Sequence, residues 1–140
     1  MRRLLVSAPT LLLVLLAGCA ATPQEQSRMA TEHAREEAKI AVALKGLQPG
    51  KPRDCIEPRD ATSTEVHGDT ILYRTGRQLI YRTDTGGGCF GLSRDDIIVT
   101  VSTTGQLCRG DIVRTIDRSS RMPSGSCSFG DFTPYSKPKN

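Results

Sequence analysis

Chemistry that needs a nucleophile or a base near neutral pH has few side chains to draw on here: the chain holds five cysteines and two histidines. Cys55, Cys89, Cys108 and Cys127 are 34, 19 and 19 residues apart with no Cys-x-x-Cys pair, so they read as two disulfides rather than a zinc site. Of the three possible connectivities, Cys89–Cys108 with Cys55–Cys127 is expected, because the outer bridge would tie the two ends of one domain together. A loop-entropy estimate puts each bridge at about 3–4 kcal/mol. His67, in Val66-His67-Gly68-Asp69, would need a serine or a free thiol to activate, with Asp69 or Asp95 to orient it. No Gly-x-Ser-x-Gly elbow is present, and a surface turn histidine is expected. Asp95-Asp96 and Asp111 are carboxylates suited to a metal or to acid/base work, but without an Asp-x-Asp-x-Asp-Gly loop they read as a solvated strand entrance. Gly86-Gly87-Gly88 precedes a cysteine and no Lys-Ser or Lys-Thr follows it, so it is a turn and not a phosphate cradle. Arg109-Gly110-Asp111 spells a tripeptide that serves cell adhesion in host proteins; beside Cys108, Asp111 is expected to cap a turn instead. Neither a metal nor a cofactor is implied.

The fifth cysteine stands apart. Met1-Arg2-Arg3 is followed by an apolar run over residues 4–16, too short to span a bilayer as a helix, and Leu16-Ala17-Gly18-Cys19 closes it. This tetrad looks like a bacterial lipobox, which implies that residues 1–18 are a signal peptide and that Cys19 carries lipid on its sulfur and its freed amine. Three acyl chains would hold the protein on a membrane for good, since two signals already anchor stably. The alternative is an ordinary secretory signal cut near Gly18-Cys19-Ala20. Arg2-Arg3 lacks a preceding Ser or Thr and is read as a positive flank, not a twin-arginine signal. Ala20 stands where an aspartate would, by resemblance to enterobacterial sorting, retain the protein at the inner membrane. The expected address is therefore the periplasmic face of the outer membrane.

Charge narrows the partners. The whole chain has a net charge of +4. Residues 53–135, however, hold ten arginines against eleven acidic groups, so the domain itself is close to neutral. Without a basic stripe interleaved with aromatics, nucleic-acid binding has no footing. The arginines suit bidentate carboxylate pairing, or reflect base composition and surface solvation.

Four segments follow: a signal peptide at 1–18, a lipidated cysteine and helical spacer at 19–52, a small β domain at 53–135 and a tail at 136–140. Thr22-Pro23-Gln24-Glu25 predicts a helix start with a capping box, and Gly46 predicts its end. Met29, His33, Glu36, Ile40, Leu44 and Leu47 share one face, apolar only toward the C-terminus. The first half is then a solvated spacer and the second docks on the domain; a partner-binding helix is the alternative. Pro49-Gly50-Lys51-Pro52 marks the boundary. Strands are predicted at 55–56, 71–75, 78–83, 97–102, 111–116 and 127–132, with Val66 ending a short one and a tight hairpin at Thr75-Gly76. The fold class expected is mainly β, a small antiparallel barrel or sandwich of about five to six strands, disulfide-stapled and preceded by one N-terminal helix.

The order Thr70-Ile71-Leu72-Tyr73-Arg74, Cys89-Phe90-Gly91-Leu92, Leu107-Cys108-Arg109-Gly110-Asp111 and Cys127-Ser128-Phe129-Gly130-Asp131-Phe132 resembles an uncharacterised family of small exported proteobacterial proteins, a domain of unknown function. The likeness covers roughly residues 53–135. It implies an envelope location and a cysteine framework, and it transfers no catalytic residue. The function expected is that of a lipid-anchored, non-enzymatic binding or assembly module with an envelope protein as partner. The alternatives are a small periplasmic hydrolase or a hydrolase inhibitor. A barrel mouth near Tyr81, Phe90 and Tyr135 is one place for a peptide or small ligand.

Overall fold

Ile71-Leu72-Tyr73 is apolar at consecutive positions, and a strand of that kind must be covered on both faces. The computed structural model, which describes residues 21–138, shows how. Contacts divide the chain after Glu32. The first unit is described from residue 21 and holds the start of α1 (Pro23–Ala43), where the Thr22 N–H donates to Glu25 Oε2 at 2.8 Å and the Glu25 N–H donates to Thr22 Oγ1 at 3.3 Å. This is the capping box predicted from sequence.

The second unit, from His33, contains the remainder of α1 and ten strands: β1 (Gln48–Pro49), β2 (Cys55–Ile56), β3 (Ser63–His67), β4 (Thr70–Thr75), β5 (Leu79–Asp84), β6 (Ile97–Thr100), β7 (Leu107–Cys108), β8 (Ile112–Ile116), β9 (Pro123–Ser128) and β10 (Thr133–Ser136). All pairs are antiparallel, so the fold is mainly β with one N-terminal helix and two disulfides. β2 lies where a strand is predicted; the strand number exceeds the expectation because β1 and β7 are two residues long, too short to leave a periodic signal, and β10 carries a proline that argues against a strand.

Five strands form one sheet in the order β1-β10-β5-β4-β3, and β6-β8-β9 form another; β2 pairs with β7. The first sheet is covered on each face. On one side Leu72 and Ile80 meet Ile40 and Leu44 of the helical segment, with Leu47 and Tyr135 beside them. On the other, Ile71 and Tyr73 join Ile56, Leu107, Val113, Phe129 and Phe132. Tyr73, Phe129 and Phe132 are mutually tilted or edge-on at 5.4–6.3 Å between centroids, the geometry that ring quadrupoles favour. Residues such as Ile71, Leu72 and Phe132, at 0–1% exposure, each contribute about 1.5–3 kcal/mol of transfer free energy.

Turns follow the glycines. β3 and β4 close through Gly68-Asp69, with Gly68 at φ +60, and the Thr75↔Leu79 pair closes the hairpin predicted at Gly76, itself at φ +64. The strand predicted over 127–132 is broken. At Gly130 a Cβ would come within 2.5 Å of the Asp84 carbonyl oxygen, so only glycine fits where the chain leaves β9, and Phe132 bridges to Arg53 before β10 begins.

The disulfides differ from expectation. Cys55 bonds Cys108 and Cys89 bonds Cys127, not Cys89–Cys108 with Cys55–Cys127. Strand pairing, not proximity of chain ends, decides it: Cys55 and Cys108 are direct partners across β2 and β7. The loop before Cys89 runs along β9, with the Ser126 N–H donating to the Gly88 carbonyl at 3.1 Å and the Gly86 N–H to the Ser128 carbonyl at 3.2 Å.

Candidate functional site

His67 ends β3 on the face that carries the helical segment, since Glu65 and His67 alternate with Val66 along the strand. Instead of an exposed turn residue it is the last residue of the strand, largely covered by the helical segment: its Nδ1 lies 3.5 Å from Glu36 Oε2 of α1 and its Nε2 lies 3.8 Å from Glu65 Oε2, with the side chain 17% exposed. Nε2 is buried without a hydrogen-bond partner. Each flanking carboxylate has a cation of its own: Lys39 Nζ donates to Glu36 at 2.7 Å, and the Arg74 guanidinium donates to Glu65 Oε1 at 3.0 and 3.3 Å. The Lys39 hydrogen bond is the largest cause holding the Glu36 carboxyl below its usual range. Next to this cluster Arg82 bonds both Glu37 of α1, at 3.0 Å, and Asp84, at 3.1 Å. The expected partners of His67, Asp69 or Asp95, are thus replaced by Glu36 and Glu65. Glu65 was legible from the two-residue period of a strand. Glu36 was not, because its approach depends on where the helix docks.

The carboxylates singled out in the sequence do not meet. Ile97 pairs with Ile116, so Asp95-Asp96 lie beyond one end of β8 while Asp111 precedes the other. Asp95 is exposed and pairs with Arg118 at 3.5 Å, as a solvated strand entrance should. Asp96 departs from that expectation: its side chain is 3% exposed, accepts a hydrogen bond from Ser124 Oγ and lies 3.8 Å from Arg94. Asp111 accepts the Cys108 N–H at 2.8 Å and so caps its turn, and Arg109 sits 3.4 Å from both Asp54 and Asp131. The Arg-Gly-Asp tripeptide is therefore occupied within the fold. Among the described residues no group of three or more His, Cys, Asp or Glu side chains is placed to hold a metal ion, and no helix is long and apolar enough to cross a membrane.

The expected aromatic mouth is not formed. Tyr135 pairs with Ile80 and faces the helix, whereas Tyr81 pairs with Pro134 on the opposite face, where its ring lies 5.7 Å from the Arg53 guanidinium. Phe90 stands outside both, 74% exposed. Adjacent register positions point to opposite sides of a sheet, so these side chains cannot converge.

What the sequence reading passed over is the outward face of β6 and β8. Val113 and Thr115 point into the core at 0% exposure, which turns Ile112, Arg114 and Ile116 outward. The register sets Ile97 and Val99 on the same outward face, and extending it by one residue brings Val101 beside Ile112. Val101 and Ile112 are 63% and 48% exposed, and Arg114 is the one charge in the patch. β6 is also the last strand of its sheet: the backbone of residues 97–101 forms no bond to any element but β8 among the described residues. The signal was available as an uninterrupted run of β-branched residues, Ile97-Ile98-Val99-Thr100-Val101, next to the alternating Ile112-Val113-Arg114-Thr115-Ile116.

Cys19, the apolar run over residues 4–16 and the last two residues, including Lys139, lie outside the described residues. No protein-family model, no curated protein and no solved structure matches this chain.

Proposed function

We propose that the chain is a lipid-anchored protein of the bacterial envelope, held through Cys19 at the periplasmic face of the outer membrane, and that its β domain is a non-enzymatic binding or assembly module. The resemblance to a family of small exported proteins belongs to the same proposal. One observation carries the binding role: the β6 edge and the Ile97, Val99, Val101 and Ile112 face form an apolar, backbone-open surface. Such edges are templates for another strand, and natural proteins cover or charge them when they have no use. His67, the histidine of the β domain, is clamped between two glutamates that tie α1 to the sheet, which supports a structural role for it.

Metabolic palmitate labelling tests the address. The wild-type chain should take up label and fractionate with membranes, whereas Cys19→Ser should lose the label and be released. An unlabelled wild-type chain would refute the anchor. For the molecular role, His67→Ala should leave partner capture intact; loss of cellular function in a folded His67→Ala protein would favour the hydrolase alternative.

A further inference from the structure

The two disulfides occupy opposite environments, and the strands explain why. In the β2/β7 ladder Ile56 faces Leu107, and both are buried in the core that holds Phe129 and Phe132. Successive residues of a strand point to opposite faces, so the adjoining pair, Cys55 and Cys108, is turned away from that core. Both cysteines are half-buried, and their outer neighbours Asp54 and Arg109 are exposed. Cys89 and Cys127 are the reverse case: at 2% and 8% exposure they belong to the core itself, in one cluster with Val113 and Phe129. Thiol–disulfide exchange requires a thiolate to reach a sulfur, and in the folded chain only the first bridge offers that access.

The backbone around the accessible bridge does not depend on it. On the side of Cys55, Arg53 and Phe132 exchange two backbone hydrogen bonds, at 3.0 and 2.9 Å. On the side of Cys108, the Arg109 N–H donates to the Asp54 carbonyl at 2.7 Å and the Gly110 N–H to the Phe129 carbonyl at 2.9 Å. These bonds keep the two cysteines opposed, so a reduced pair is placed to reclose. The connector over residues 102–106 is held differently. Among the described residues its backbone makes no bond to another element, and side chains tie it, Ser102 Oγ to the Gln106 carbonyl and Gln106 Nε2 to Glu57 Oε1 at 2.7 Å.

We infer that Cys55–Cys108 is a thiol-exchange site, opened and reclosed in the folded chain by a dithiol, while Cys89–Cys127 stays closed. One thiolate of the dithiol attacks a sulfur of the bridge, forming a mixed disulfide and expelling the other cysteine as a thiolate, which takes up a proton. The second thiol of the reductant then attacks the mixed disulfide and frees the remaining cysteine. Two electrons pass to the bridge, the two thiol protons of the reductant end on Cys55 and Cys108, and the reductant leaves as a disulfide. The structural consequence is local: the connector over residues 102–106 loosens, and the sheets remain. Exchange at this bridge requires neither the lipid nor a partner on the β6 face.

Timed reduction of the oxidised full chain in non-denaturing detergent with dithiothreitol, quenched by alkylation and mapped by peptide mass spectrometry, tests it. Cys55 and Cys108 should be alkylated at least about tenfold faster than Cys89 and Cys127. Amide exchange of the half-reduced chain should rise over residues 102–108 and stay level in β4, β5 and β8. Removing dithiothreitol and adding oxidised glutathione should restore Cys55–Cys108. A thioredoxin whose second active-site cysteine is replaced by serine should be captured as a mixed disulfide on Cys55 or Cys108, and a chain carrying Cys55→Ser and Cys108→Ser should not capture it. Equal rates for the two bridges, earlier reduction of Cys89–Cys127, or reduction of Cys55–Cys108 only in denaturant that unfolds the chain would each overturn the inference. So would a reduced pair that does not reclose, or exchange that rises throughout β4, β5 and β8. The wild-type measurements decide the matter even if the doubly substituted chain does not fold.

Discussion

The two terminal strands β3 and β6 are finished in opposite ways. β3 ends the larger sheet with Glu65 and His67 on one face, each within reach of a charged neighbour, and a helical segment lies over that face through Ile40 and Leu44. β6 ends the smaller sheet with a run of β-branched residues, no charge and, among the described residues, no helix or strand packed on its outward face, where Val101 is 63% exposed. Both strands lie in the nearly neutral stretch of residues 53–135, so composition does not explain the contrast. Charged side chains and a packed helix are the usual ways to stop a strand from recruiting another. Where one edge carries both and the other carries neither, the bare edge is the surface available for work.

The Cys89–Cys127 bridge separates the two edges most sharply, because it fastens the loop leading toward β6 to β9. Replacing both cysteines by serine should lower stability by about 4 kcal/mol, the loop-entropy value for a 38-residue closure. On a domain of this size that is a fall in melting temperature of roughly 16 °C or more. Amide exchange should accelerate first in β6, β8 and β9, while β3 and β4 keep their protection. Uniform acceleration would show that the two sheets unfold as one and that their edges are not independently held. Peptide mapping of the non-reduced protein should return Cys55–Cys108 and Cys89–Cys127.

Ile40→Ala is the converse experiment. Ile40 is 2% exposed between Leu72 and Ile80, and truncating it should cost about 2–4 kcal/mol through lost transfer energy and the cavity left behind. The helical cover should loosen and β3 should gain amide exchange, with β6 unchanged. If β6 responds as strongly, protection of the β3 edge does not come from the helix.

The features that were legible in the sequence were local ones. Thr22 and Glu25 meet within one turn, Gly68 and Gly76 permit their own turns, and Ile71-Leu72-Tyr73 announces a doubly covered strand without reference to anything distant. What escaped depends on partners remote in the chain. β1 and β10 contain Pro49 and Pro134, which argue against strands by themselves; they exist because Gly50 donates to the Pro134 carbonyl at 2.7 Å and β5 supplies the other side. The disulfides interleave because β2 meets β7 and the glycine loop follows β9, neither of which cysteine spacing encodes. The two strands of the outward patch left a signal in the sequence, but which of their faces is outward did not. Val101 and Ile112 are plainly apolar, but which side of β8 faces water follows from the burial of Val113 and Thr115.

The smallest effect concerns Glu36, the residue that links the β3 edge to the helix. Its folded carboxyl is held below the ordinary value of 4.5, chiefly by the hydrogen bond from Lys39; desolvation opposes this, and the charges of Lys39 and His67 and a hydrogen bond from His67 add to the lowering. A depressed carboxylate favours the folded state wherever it is ionised there, so its contribution is complete above pH 4.5 and disappears as the pH falls through the lower, folded value. The stability difference between the wild-type chain and Glu36→Gln should therefore be level from neutral pH down to about 4.5 and shrink below it. Because the Glu36 side chain is still 27% exposed, salt should partly flatten the same difference. Exchange at β6 should not follow this titration, since no residue of that strand ionises and its neighbours Asp95 and Asp96 have partners of their own. If β6 tracks the Glu36 profile, the two edges are coupled through the shared core, and the bare strand is regulated by the covered one.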